Sequence, residues 1–108
     1  MEVTLAVVPQ CPHHASAEAL LQQALNDIGA KSATVRTIMV ADMDAADRLG
    51  FLGSPSFMVN GVDVLAGPGP AALSCRLYQT PDGAAGLPAL VDLRQGLKRV
   101  LDAAARSH

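Results

Sequence analysis

The order of apolar runs along this 108-residue chain predicts an α/β sandwich, a four-stranded mixed sheet flanked by helices in the order β-α-β-α-β-β-α. Three observations carry that expectation. Val3 to Val8 and Thr34 to Val40 are short runs containing β-branched residues, as strands buried in a sheet require. Between them lies a segment with helical periodicity, and a strand–helix–strand unit needs a crossover and gives a parallel pair. Phe57-Met58-Val59 and Val62-Asp63-Val64-Leu65 flank Asn60-Gly61, the strongest short hairpin signal because both turn residues accept positive φ. The hairpin adds antiparallel strands and makes the sheet mixed.

Each element has its own signals. From Ala15 to Ile28, residues Ala17, Leu20, Leu21, Ala24, Leu25 and Ile28 recur at three- and four-residue steps, and Gly29 is a natural stop. Asp42 is placed to cap a short helix through Leu49, closed by Gly50. Residues 66–87 then break the rhythm. Ala66-Gly67-Pro68-Gly69-Pro70 continues neither strand nor helix, and Thr80-Pro81-Asp82-Gly83 is a turn sequence. This Gly/Pro-rich insert is mobile by composition. Pro88 suits the first turn of a last helix, where its missing N–H costs nothing. Leu90, Leu93, Leu97, Leu101 and Ala104 form that helix's apolar stripe, with Lys98, Arg99 and Arg106 towards the end favoured by the dipole. The whole of 1–108 reads as one domain.

Composition narrows the function classes. Half of the residues are hydrophobic, mostly Ala, Val and Leu, with two Phe, one Tyr and no Trp. Eight basic residues against ten acidic ones give a formal charge of −2. No basic or aromatic-interleaved patch points to nucleic acid. The apolar runs fall short of the ~20 residues of a membrane span, and the chain opens directly on a strand-like run without a signal-peptide pattern. The expected location is the cytoplasm. Two cysteines in that setting are free, reactive or transiently paired rather than a disulfide framework.

The chemistry concentrates in Val7-Val8-Pro9-Gln10-Cys11-Pro12-His13-His14. Cys11 falls between the first strand and the first helix, where unpaired N–H groups and the helix dipole favour a thiolate and the sulfur is open to substrates. Against this stands the plainer view of Cys11 as a small buried hydrophobe. Pro12 would start the helix without wasting a donor. His14, three residues on, can share a face with the sulfur and exchange its proton as a neutral ring. His13 is either solvent-exposed or part of the binding surface. Cys11, His13 and His14, with Cys75, are also soft-metal ligand types, but adjacent histidines in one helical turn diverge, so no metal is expected. No cofactor is expected either. Gly53-Ser54-Pro55-Ser56-Phe57 leads into the third strand, and a proline there removes a ladder N–H.

Taken together, Cys-Pro-x-x opening a helix, a Gly-Ser-Pro-Ser step into a hairpin and a final helix resemble the thioredoxin superfamily in its compact, glutaredoxin-sized form. Cys11-Pro12-His13 is similar to the Cys-Pro-His-Cys of the bacterial disulfide-oxidase (DsbA-like) proteins. Phe51 to Ser56, Val59-Asn60-Gly61, Ser74-Cys75-Arg76-Leu77-Tyr78 and Gly86-Leu87-Pro88 look like a group of small bacterial thioredoxin family proteins labelled alkylmercury-lyase-like. This chain is too short for a full organomercurial lyase, and that activity is not carried over. The resemblance implies that Cys11 is the attacking cysteine, that Pro55 is a cis-proline beside it, and that the Ser54 backbone pairs with an extended substrate. Pro12, His13 and Ser56 would complete the substrate surface. One departure matters: His14 stands where a dithiol member has its resolving cysteine.

The expected function is therefore monothiol thiol–disulfide exchange at Cys11, assisted by His14 and Pro55, with a low-molecular-weight thiol or a thiol-containing protein as partner. Cys75 is the candidate resolving thiol. The alternatives are a persulfide-carrying sulfur-transfer protein, a non-catalytic binding module that takes a peptide or a second copy as a homodimer, and a soft-metal binder using Cys11, His14 and Cys75.

Overall fold

The computed structural model describes residues 2–30, 33–65 and 70–106, without the side chains of the last three of these. A four-stranded mixed sheet has the order β2-β1-β3-β4, with β1 at Glu2–Val7, β2 at Thr34–Met39, β3 at Ser56–Val59 and β4 at Val62–Asp63. A separate two-stranded sheet pairs β5 at Tyr78–Thr80 with β6 at Gly83–Ala85. The helices are α1 at His14–Asp27, α2 at Met43–Leu49 and α3 at Leu90–Arg106.

The alternation of β1 explains the layering. Val3, Leu5 and Val7 point to one face, where they join Ala17, Leu21, Ala24 and Leu25 of α1 and Leu93 and Leu97 of α3 in the main core. Ala6 points to the other face and meets Val40, Phe51 and Ala46 of α2. The sheet is thus covered on both sides, which is why its inner strands are largely apolar. β1 runs parallel to β2, Glu2 facing Thr34 through Val7 facing Met39, and antiparallel to β3, Val3 facing Val59. Among the described residues no helix is long and apolar enough to cross a membrane.

The local signals act as their chemistry requires. The Asp42 carboxylate accepts the Ala45 N–H at 2.8 Å and caps α2, and Gly50 closes it at φ 66°. Asn60 and Gly61, at φ 52° and 82°, make the two-residue turn between β3 and β4. The last strand of that hairpin, Val62–Asp63, is shorter than expected: Val64 still donates its N–H to the Phe57 carbonyl at 2.9 Å, and the chain then turns away at Leu65. The Asp63 carboxylate accepts the Leu65 N–H at 2.8 Å and bends the chain there.

The insert departs most from its expectation. Residues 66–69 lie outside the described residues, but 70–87 hold structure that the composition hides. Thr80-Pro81-Asp82-Gly83 is the tip of the β5–β6 hairpin, closed by Thr80 Oγ1 donating to the Gly83 carbonyl at 2.7 Å. Pro88 precedes α3 rather than forming its first turn, since the first backbone acceptor of the helix is the Ala89 carbonyl. Leu93 is fully buried where α3 meets the sheet, whereas Val62 is 53% exposed. Leu93→Ala is expected to cost about 2–5 kcal/mol of stability, and Val62→Ala less than about 0.5 kcal/mol, both read from urea denaturation.

Candidate functional site

The site forms where the end of β1, the lead-in to β3 and the insert meet. Val8 to Cys11 is a tight turn in which the Cys11 N–H donates to the Val8 carbonyl at 3.2 Å. Pro9 fixes its own φ at the second position, and Gln10 takes φ 62° at the third, the arrangement of a type II turn. A second turn follows at once, the His14 N–H donating to the Cys11 carbonyl at 3.2 Å. Helix α1 starts only there, with His13 as its cap residue.

Two expectations about Cys11 are corrected by this geometry. Pro12 is a turn residue ahead of the cap and does not start the helix. Cys11 is two residues outside the cap, and it is 9% exposed rather than presented to solvent. The double turn is the reason, because it folds the thiol inward into the main core that also contains Tyr78, Phe57 and Leu93. Among the described residues no hydrogen bond joins the Cys11 thiol to either histidine. The His14 imidazole instead faces Glu18 one turn along α1, Nε2 to Oε2 3.8 Å. His13 is half-buried and packs on the insert at Gly86, where a Cβ would come within 2.7 Å of its Cδ2. A side chain at position 86 would therefore force the His13 ring to move.

The lead-in to β3 is tied down by several hydrogen bonds. The Ser54–Pro55 peptide bond is cis, and Ser54, Pro55 and Ser56 are all buried. The Ser54 hydroxyl accepts the Val8 N–H at 3.1 Å, tying this segment to the strand end before Cys11. The Ser56 hydroxyl donates to the Gly53 carbonyl at 2.6 Å and accepts from Arg76 Nη1 at 3.3 Å.

The Ser54 backbone was expected to pair with a substrate, but the chain itself takes both of its groups. The Ser54 N–H donates to the Ser74 carbonyl at 2.8 Å, and the Arg76 N–H donates to the Ser54 carbonyl at 3.0 Å. Cys75 lies between them in a parallel bridge with Ser54, and it is exposed. Gly53 allows this approach, since a Cβ there would stand 2.9 Å from the Arg76 Cβ. The structure thus brings Cys75 to Ser54 and Pro55, and connects it to Cys11 through Ser54 and Val8 by backbone and hydroxyl bonds.

A polar cluster joins this part of the insert to the sheet. Arg76 Nη1 donates to Asp63 Oδ2 at 2.7 Å, with the two side chains only 9% and 8% exposed. Arg76 Nη2 donates to the Leu65 carbonyl, and the guanidinium lies 4.6 Å from the centre of the Tyr78 ring. The Tyr78 hydroxyl donates to the Pro55 carbonyl at 2.5 Å. Burial pushes the Tyr78 phenol well above its ordinary value, opposed more weakly by Arg76. Sequence reasoning overlooked Asp63, Arg76 and Tyr78. The available signal was one acidic and one basic residue, each inside an otherwise apolar stretch.

Among the described residues no three or more His, Cys, Asp or Glu side chains are grouped to hold a metal ion. No protein-family model matches the chain, and neither does any curated protein or solved structure. Two outcomes follow from the polar cluster. Arg76→Ala leaves the part-buried Asp63 carboxylate without its partner and is expected to cost about 1–3 kcal/mol in urea denaturation. For Tyr78, the neutral phenol is the form the fold favours. Its contribution is complete below the ordinary tyrosine value of ~10 and is lost as pH rises above it. Alkaline unfolding curves of the wild type should show that decline, and Tyr78→Phe should lack the component.

Proposed function

We propose that the chain is a thioredoxin-superfamily protein of glutaredoxin-like size, in which Cys11 exchanges disulfides with a low-molecular-weight thiol or a partner protein. The observation that carries the reading is the junction at Ser54. Its hydroxyl binds the strand end before Cys11, and its backbone is the edge on which an extended segment bearing a cysteine already lies. The mixed sheet order, with helices on both faces, gives further support. The setting would be the cytoplasm, where thiols are kept reduced.

In the first step the Cys11 thiolate attacks one sulfur of a partner disulfide. A Cys11–partner disulfide forms as the partner's own S–S bond breaks, and the departing thiolate takes up a proton. Release needs a second thiolate. An outside thiol attacking the partner's sulfur regenerates Cys11 and leaves the partner joined to that thiol. Alternatively Cys75 attacks Cys11 Sγ, frees the partner as a thiol and leaves a Cys11–Cys75 disulfide for outside thiols to reduce. The pairing of Cys75 with Ser54 favours the second route. His14 can take the Cys11 proton only by turning its ring away from Glu18.

A second reading is favoured by the burial of Cys11, namely a sulfur carrier. A persulfide on a thiol this little exposed would be shielded from stray reductants.

Exchange is tested with a glutathione-mixed-disulfide substrate. Cys11→Ser should fall to the uncatalysed background, whereas Cys75→Ser should retain the first step and accumulate the mixed disulfide on Cys11. Full activity in Cys11→Ser overturns the proposal. Mass added by a cysteine desulfurase, without exchange activity, replaces it with the carrier reading.

A further inference from the structure

Ser74-Cys75-Arg76 is attached like a bound peptide. Its backbone makes one accepting and one donating bond to Ser54, its middle residue faces solvent, and its third residue sends a guanidinium into a pocket. Its hydrogen-bond acceptors belong to the sheet and its exit, while the Tyr78 ring of the insert forms one wall. Asp63 Oδ2, the Ser56 hydroxyl and the Leu65 carbonyl supply the acceptors, and none of them lies in the insert. The charge is decisive: with Arg76 withdrawn, Asp63 Oδ2 loses its donor, and its negative charge favours a cationic replacement. A guanidinium matches three acceptors spread in this way better than an ammonium does.

The held segment is also short. The Ala72 N–H is bonded to the Phe51 carbonyl at 3.0 Å, and Tyr78 is bonded to Pro55. Between these two anchors Leu73, Ser74, Cys75 and Leu77 are exposed, and Leu77 is 70% so. Among the described residues, its hydrogen bonds to the rest of the chain are the two backbone bonds to Ser54 and those of the Arg76 side chain.

We propose that the Asp63 pocket is an arginine-selective subsite for a partner protein. The partner binds as an extended strand on Ser54, with arginine one residue after the residue that faces Ser54, and Ser74-Cys75-Arg76 is its internal stand-in. On the exchange reading, the residue facing Ser54 is the partner's reactive cysteine. That detail alone rests on the proposed function, because the backbone bonds and the ion pair need no thiol.

The test uses two end-blocked peptides copying residues 73–77 with serine in place of the cysteine. One is Leu-Ser-Ser-Arg-Leu, and the other has glutamate in place of arginine. They are titrated by fluorescence polarisation against the full chain, Arg76→Ala and Arg76→Lys. The arginine peptide should bind Arg76→Ala roughly ten-fold or more tighter than the glutamate peptide does, and tighter than it binds the wild type, whose own segment competes as an intramolecular ligand. It should also raise the melting temperature of Arg76→Ala. If Arg76→Ala is unfolded alone, the arginine peptide should restore its folded circular dichroism, or the same preference should appear with Arg76→Lys. Equal affinity for both peptides, or no binding and no restored folding in either variant, overturns the proposal. A wild type that dimerises with concentration by trading its own 74–76 strand also overturns it, in favour of a second copy. Because the peptides carry no thiol, loss of the exchange reading would leave this result standing.

Discussion

The arrangement depends on one part-buried ion pair. Arg76 and Asp63 come from the insert and from the end of the sheet, and their 2.7 Å contact lies where little water reaches. Such a pair offers modest net stability, because desolvating both charges offsets most of their attraction. What it supplies is placement. With the guanidinium fixed, the Arg76 N–H is directed at the Ser54 carbonyl and the Tyr78 ring is set beneath the cation. The insert is thereby laid across the cis Ser54–Pro55 step. Without this pair the segment would retain two backbone bonds and little else.

Ser54 is the second constraint. Its hydroxyl serves β1 while its backbone serves the insert, so one fully buried residue couples the Cys11 turn to Cys75. A buried backbone group left unpaired costs about 1–3 kcal/mol. The segment at 74–76 is therefore more easily exchanged for another strand than simply removed. This is the behaviour expected of an edge that meets a partner by strand addition.

Much of the fold was legible because its signals are local. Asp42 and Gly50 bound a helix through caps that act within one turn, and Asn60-Gly61 bends the chain within two residues. The stripe through Leu93 and Leu97 needs only helical periodicity. The site was less legible because its decisive contacts are distant in sequence. Arg76 meets Asp63 across 13 positions and Tyr78 meets Pro55 across 23, and neither spacing has a period to betray it. Cys11 lies between the first strand and the first helix but outside the helix cap, and its burial goes with the Gln10 turn; glutamine is not a residue that announces positive φ. The β5–β6 hairpin has three-residue strands, too short to show alternation, and only its turn could be read.

The chain has one tyrosine and no tryptophan, and that tyrosine stands at the joint between insert and sheet. Its ring touches the cation, its hydroxyl holds the Pro55 carbonyl, and its edge is tilted at 55° to Phe57. Tyrosine absorption and emission respond to hydrogen bonding and to burial of the phenol. The protein's near-ultraviolet spectrum therefore comes almost wholly from the residue that joins insert to sheet, so the unlabelled molecule carries its own optical gauge of that joint.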